Sequence, residues 1–131
     1  MSCYAPIMKP IIFALAVTLI ALGLAFCEPP PRVIDGNTLE WRGQRVRFPG
    51  CDAPELKQTC ERYGVTWPCG EEAREALAEW VGSREIKCSG DERDKYGRLL
   101  AHCSVDGQDI GEWMVSHGLA IAYYQYSDDY Q

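Results

Sequence analysis

From Arg32 to Phe48 the apolar residues come in short alternating runs, with only two-residue turns between them. Val33-Ile34, Thr38 to Trp41, and Val46 with Phe48 are divided by Asp35-Gly36 and Arg42-Gly43. Alternation is the period of a strand with one covered face, and connections this brief join only antiparallel neighbours. Two more strand-like segments, Glu85 to Cys88 and Leu99 to Val105, flank a polar connection from Gly90 to Arg98. Helical spacing occurs in two places. Ala73, Ala76, Leu77, Trp80 and Val81, with Glu71 and Glu72 in the first turn and Gly82 as a stop, predict a helix over 68–82. Asp109, three residues before Glu112, predicts a capped second helix with Ile110, Trp113, Met114 and His117 on one face, ending at Gly118. Five strands interleaved with two helices predict an α+β, mainly β domain, a small five-stranded barrel rather than a parallel sheet.

The first 26 residues read as a leader. Lys9 is followed by an unbroken apolar run from Ile11 to Phe26, then by Glu28 and three prolines that cannot prolong a helix. The run matches a signal-peptide core and falls short of the roughly 20 residues of a comfortable membrane span. Gly23-Leu24-Ala25 stands near the expected cut, whereas bulky Phe26 argues against a lipid anchor at Cys27. The expected organisation is a signal peptide or N-terminal membrane anchor over 1–26, a Pro-rich spacer over 27–31 and a folded domain over 32–131. Such a protein would be secreted or periplasmic, or else held at the membrane by residues 11–26.

Seven cysteines in 131 residues, behind such a leader, read as disulfides rather than metal ligands. Cys60 and Cys69 close a short loop. Cys88 and Cys103 are equidistant from Lys95 and Tyr96, so a hairpin there sets them face to face. Cys51 is left over, as a buried free thiol or a partner for Cys27; a cytoplasmic chain with every thiol reduced is the alternative. The formal net charge of −6 repels polyanions at long range. A nucleic-acid ligand therefore needs a local basic site or a bridging metal.

Three polar clusters could supply that site. Asp35-Gly36-Asn37-Thr38 has the composition of a turn. Arg47 to Glu55 sets a guanidinium at the end of a strand and, across a Pro-Gly break, the carboxylates Asp52 and Glu55. Asp94-Lys95-Tyr96-Gly97-Arg98 fits a polar hairpin tip. Arginine can grip an anion, and the carboxylates can hold a cation or take a proton. Each cluster alone is also an ordinary solvated loop.

Together with the apolar residues around them, Val33 to Leu39, Arg47 to Glu55 and Asp94 to Leu100 resemble the three signature blocks of the staphylococcal nuclease-like (thermonuclease) family. Gly118-Leu119-Ala120, with Tyr124 and Tyr126, is similar to a further block. The resemblance implies an OB-fold barrel that cleaves phosphodiester bonds of DNA and RNA with calcium. It implies Glu55 as general base, and Arg47 and Arg98 bracketing the phosphate. Asn37, Asp52 and the Ala53 backbone carbonyl would hold the metal, with Asp35 in its outer shell. Lys95, Tyr96 and Tyr124 would contact the nucleotide, with single-stranded substrate expected.

Asn37 stands where the family has an aspartate, so calcium binding is expected to be weak. The family pattern also continues into a third helix beyond Gln131. Apolar surface near Trp113 and the tyrosines is therefore expected to be exposed, or covered in a homodimer. The alternative to an enzyme is a nuclease-like OB-fold module that binds oligonucleotide or protein without cutting.

Overall fold

The computed structural model describes residues 28–123; the expected leader, Cys3, Cys27, Tyr124 and Tyr126 lie outside them. The chain opens with β1 (Arg32–Asp35), β2 (Thr38–Trp41) and β3 (Gln44–Arg47), an antiparallel meander. Two residues, β4 (Cys51–Asp52), follow the Pro49-Gly50 break, and a small hairpin, β5 (Cys60–Arg62) and β6 (Val65–Trp67), comes next. Then come α1 (Cys69–Val81), β7 (Ile86–Arg93), β8 (Leu99–Val105), β9 (Gln108–Asp109), α2 (Ile110–Ser116) and β10 (Ile121–Ala122). The main sheet runs β1-β2-β3-β8-β7 and curls into a half-barrel, with β9 on the end of β8. This is the α+β, OB-like arrangement expected, with the five anticipated strands forming the sheet.

One contact in that sheet is parallel. β3 lies beside β8 with Val46 opposite Leu99 and Arg47 opposite Leu100. The chain between them, carrying the hairpin, α1 and β7, is long enough for a crossover, which the short turns of the meander are not.

Helices form where spacing and caps predict them. In α1 the stripe Ala73, Leu77 and Val81 is buried, and Gly82 ends the helix with its N–H on the Ala78 carbonyl (2.9 Å). In α2 the Asp109 carboxylate accepts the Glu112 N–H (2.9 Å), the cap expected from the sequence, and Ile110, Trp113 and Met114 are buried. These residues meet Leu39, Val46, Phe48, Ala101, Cys103 and Val105 in one core.

Two local expectations change. β7 runs on to Arg93 through a register shift between Ser89 and Glu92. The β5–β6 hairpin was not anticipated. His117, expected on one face with Ile110, Trp113 and Met114, is exposed, and its ring stacks on that of Trp113 at a centroid distance of 4.4 Å. Trp113 itself is 9% exposed, with the Trp80 ring stacked on it at 4.4 Å, and Tyr124 and Tyr126, beside which exposed apolar surface is expected, lie outside the described residues.

Both anticipated disulfides are present. Cys60–Cys69 joins the hairpin to the start of α1, and Cys88–Cys103 joins directly opposed residues of β7 and β8. Cys51 is free and buried.

Candidate active site

Strand register brings the sequence clusters together. Arg47 sits in the sheet between Thr38 of β2 and Leu100 of β8. Its neighbours in space are therefore the Asp35–Thr38 turn on one side and the β7–β8 tip on the other. Arg98 lies two residues before Leu100, which by strand alternation is the same face. Arg47 and Arg98, with Lys95, Tyr96, Asp94 and Tyr123, line one cleft of about 650 Å3. Each arginine is held by a carboxylate, in a different way.

Arg98 is held locally. Its Nε donates to Asp94 Oδ2 at 2.7 Å, while Asp94 Oδ1 accepts the backbone N–H groups of Tyr96 (2.9 Å) and Arg98 (3.0 Å). Burial alone would raise the Asp94 carboxyl. The hydrogen bonds from the Arg98 side chain and the two backbone groups, with the Arg98 charge, outweigh it and hold the carboxyl below its ordinary value. The guanidinium also lies over the exposed Tyr96 ring (5.4 Å), as does the Lys95 ammonium (5.1 Å).

Arg47 is held by elements far apart in sequence. Nη1 donates to the carbonyls of Phe48 (2.9 Å) and Cys51 (3.1 Å), and Nη2 to Asp52 Oδ1 (3.3 Å). Gly50 turns the chain between those carbonyls at φ 75°, a conformation that suits glycine. β10 fixes the far side of the turn: Ile121 pairs with Asp52, Ala122 with Cys51, and the Tyr123 N–H reaches the Gly50 carbonyl (2.8 Å).

The first turn completes the network. A Cβ on Gly36 would lie 2.6 Å from the Ala53 Cβ, so only glycine lets the turn press against Ala53. Beside it Asn37, 7% exposed, is fully satisfied in one amide orientation. Oδ1 accepts from Arg47 Nη1 (3.1 Å) and the Ala53 N–H (3.2 Å), while Nδ2 donates to Asp35 Oδ1 (2.9 Å) and Thr38 Oγ1 (3.2 Å).

Glu55 stands apart from this network. It is exposed, does not line the arginine cleft, and its carboxylate has no hydrogen bond or ion pair among the described residues. Its backbone is nonetheless fixed. Gln58 accepts the Glu55 N–H at Oε1 (3.2 Å) and returns its own N–H to the Glu55 carbonyl (2.8 Å). The Gln58 carbonyl in turn takes the Gly70 N–H (3.1 Å), beside the Cys60–Cys69 bridge.

Lys95 and Tyr96 thus join Arg47 and Arg98, Asn37 and Asp35 join Asp52, and Glu55 lies at the edge. Tyr124 lies outside the described residues. Reading residue types missed Asp94 as the partner of Arg98, although their spacing of four was a signal. It also missed Tyr123 and Gln58, for which no local signal exists.

Calcium takes about six to eight oxygen ligands, several of them charged. Among the described residues no three Asp, Glu, His or Cys side chains are grouped so as to hold a metal ion. The Asn37 oxygen is spent on Arg47 and Ala53, and Asp52 is paired with Arg47. The donor set of the described residues does not fit the ion that the resemblance implies.

The succinoglycan biosynthesis protein ExoI of Rhizobium meliloti is 39% identical over 92 residues, 68% of this chain and 48% of that one. The endonuclease YncB of Bacillus subtilis is 38% identical over 102 residues, 72% of this chain and 47% of that one. An uncharacterized endonuclease of Escherichia coli is 31% identical over 103 residues, 75% of this chain and 61% of that one. The chain thus spans about half the length of the first two relatives. The family model described as staphylococcal nuclease homologue matches residues 45–131, leaving the Asp35–Thr38 turn outside the match. Since that match covers more than half of the sequence and includes both arginines and Glu55, the chain belongs to the staphylococcal nuclease family.

Proposed function

We propose that this chain is an exported nuclease that hydrolyses phosphodiester bonds of single-stranded DNA or RNA. The observation that carries the reading is the β3–β8 register, which sets Arg47 and Arg98 in one cleft. Two planar guanidiniums there match the oxygens of a phosphodiester, with Lys95 adding charge and the exposed Tyr96 ring a face for a base. This local basic site answers the acidic net charge. Glu55 takes a proton from the attacking water as its oxygen bonds to phosphorus. The P–O bond to the leaving nucleoside breaks, its oxygen takes a proton from solvent to leave as a hydroxyl, Glu55 returns its proton to solvent, and the arginines stabilise the charge that builds on the non-bridging oxygens. Export is supported by the two disulfides and the apolar leader.

A second reading, a module that binds oligonucleotide without turnover, is favoured by one observation: Glu55 does not line the arginine cleft. The test is cleavage of labelled single-stranded DNA and RNA by the disulfide-formed chain beside Glu55→Gln, in EGTA and in calcium. Loss of at least 100-fold of the activity in Glu55→Gln is expected. Tight binding with no cleavage by the parent chain selects the second reading, and an undiminished rate in Glu55→Gln removes Glu55 from the mechanism.

A further inference from the structure

The Asp35–Thr38 turn poses an electrostatic question. Asp35 Oδ1 receives two donors from Asn37, the backbone N–H at 3.0 Å and the side-chain Nδ2 at 2.9 Å. An aspartate at position 37 would put a carboxylate oxygen where that Nδ2 now stands, in contact with another carboxylate and largely out of water. Like charges at that distance do not coexist without a proton or a cation between them. On the other side, the Asn37 oxygen and Asp52 Oδ1 converge on one guanidinium, through Arg47 Nη1 at 3.1 Å and Nη2 at 3.3 Å.

Both places where a divalent ion would bridge acidic oxygens are thus filled from within the chain. The amide hydrogens of Asn37 serve Asp35, and Arg47 serves Asp52. We infer that Asn37 makes this site self-neutralised: the turn, the Arg47 seat and Asp52 keep their arrangement with no divalent cation, and replacing Asn37 by aspartate creates a calcium site and a need for it. This concerns the folded site and holds whether or not the chain cleaves nucleic acid.

The test is thermal unfolding and calorimetric titration of the full disulfide-formed chain. The parent should melt at the same temperature in EGTA and in millimolar calcium and show no calcium binding in the micromolar range. Asn37→Asp should melt about 5 °C or more lower in EGTA and regain most of that in calcium, with magnesium less effective. The reciprocal variant Asp35→Asn with Asn37→Asp restores one amide and one carboxylate. It should melt close to the parent in EGTA and lose the calcium response. Micromolar calcium binding by the parent overturns the inference, as does an Asn37→Asp chain indifferent to EGTA. If the reciprocal variant stays as unstable as Asn37→Asp, repulsion with Asp35 is not the cause and the inference also fails. Should Asn37→Asp not fold at all, the parent titration and the reciprocal variant still decide.

Discussion

The two arginines of the cleft are both paired with aspartates, yet they are built in opposite ways. Arg98 and Asp94 are four residues apart on one hairpin tip, and their contacts close within that tip. Arg47 is surrounded by groups from the first turn, the Pro-Gly break and the end of its own strand, although its side chain, at 20% exposed, is little more buried than that of Arg98 at 25%. Arg98 spends Nε on Asp94, and no contact among the described residues uses its Nη groups for a hydrogen bond. Arg47 is also a structural pin: two backbone carbonyls and an amide oxygen depend on it. The difference separates a side chain that can be removed with little harm to the fold from one that cannot.

Substitutions should expose that difference. Arg98→Ala and Arg47→Ala are each expected to reduce cleavage of single-stranded oligonucleotides by 100-fold or more, read as initial rates. On stability they should part. Arg47→Ala leaves buried acceptors unpaired and should cost about 2–4 kcal/mol in urea unfolding, whereas Arg98→Ala should cost about 1 kcal/mol or less. Equal costs would mean that the two sites are built alike after all.

A smaller effect should appear in acid. The folded-state value of the Asp94 carboxyl is depressed, so its contribution to stability is full above the unfolded value, near 3.8, and is lost as pH falls through the folded value. The stability gap between the parent chain and Asp94→Asn should be constant above about pH 5 and close below pH 4. A gap that widened in acid would reverse the sign of the coupling.

The smallest expected change concerns Cys51, whose carbonyl Arg47 holds. Burial pushes its thiol up to about 12, so the native chain at pH 8 should leave Cys51 unmodified by iodoacetamide, while urea exposes it. Peptide mapping distinguishes the two, and rapid labelling of the native chain would mean that the Pro-Gly turn opens readily.

Sequence reveals these regions unequally, for the same physical reason. Asp94 and Arg98 sit within one turn of chain, so the hairpin tip could be read locally even though the pairing was not singled out. That Arg47 meets Asn37 and Asp52 depends on three pairings distant in sequence, β2–β3, β3–β8 and β4–β10, which no local pattern encodes. The family resemblance named these residues but said nothing of their partners here, where Asn37 and Asp52 both meet the Arg47 guanidinium. Elsewhere, burial decides. Both helices and the main strands cover the core and leave an apolar period. Ser89 to Arg93 and most of the β5–β6 hairpin are solvent-facing, so a strand there leaves no such trace.

The pairing of β10 with β4 also sets a schedule. Ile121 and Ala122 leave the ribosome after both helices, and until they arrive Cys51 and Asp52 have no strand to lie against. The sheet behind the cleft is made earlier, but the seat of Arg47 is not complete until β10 has been made. The side of the Arg47 seat that β10 braces therefore depends on residues made after every strand of the main sheet.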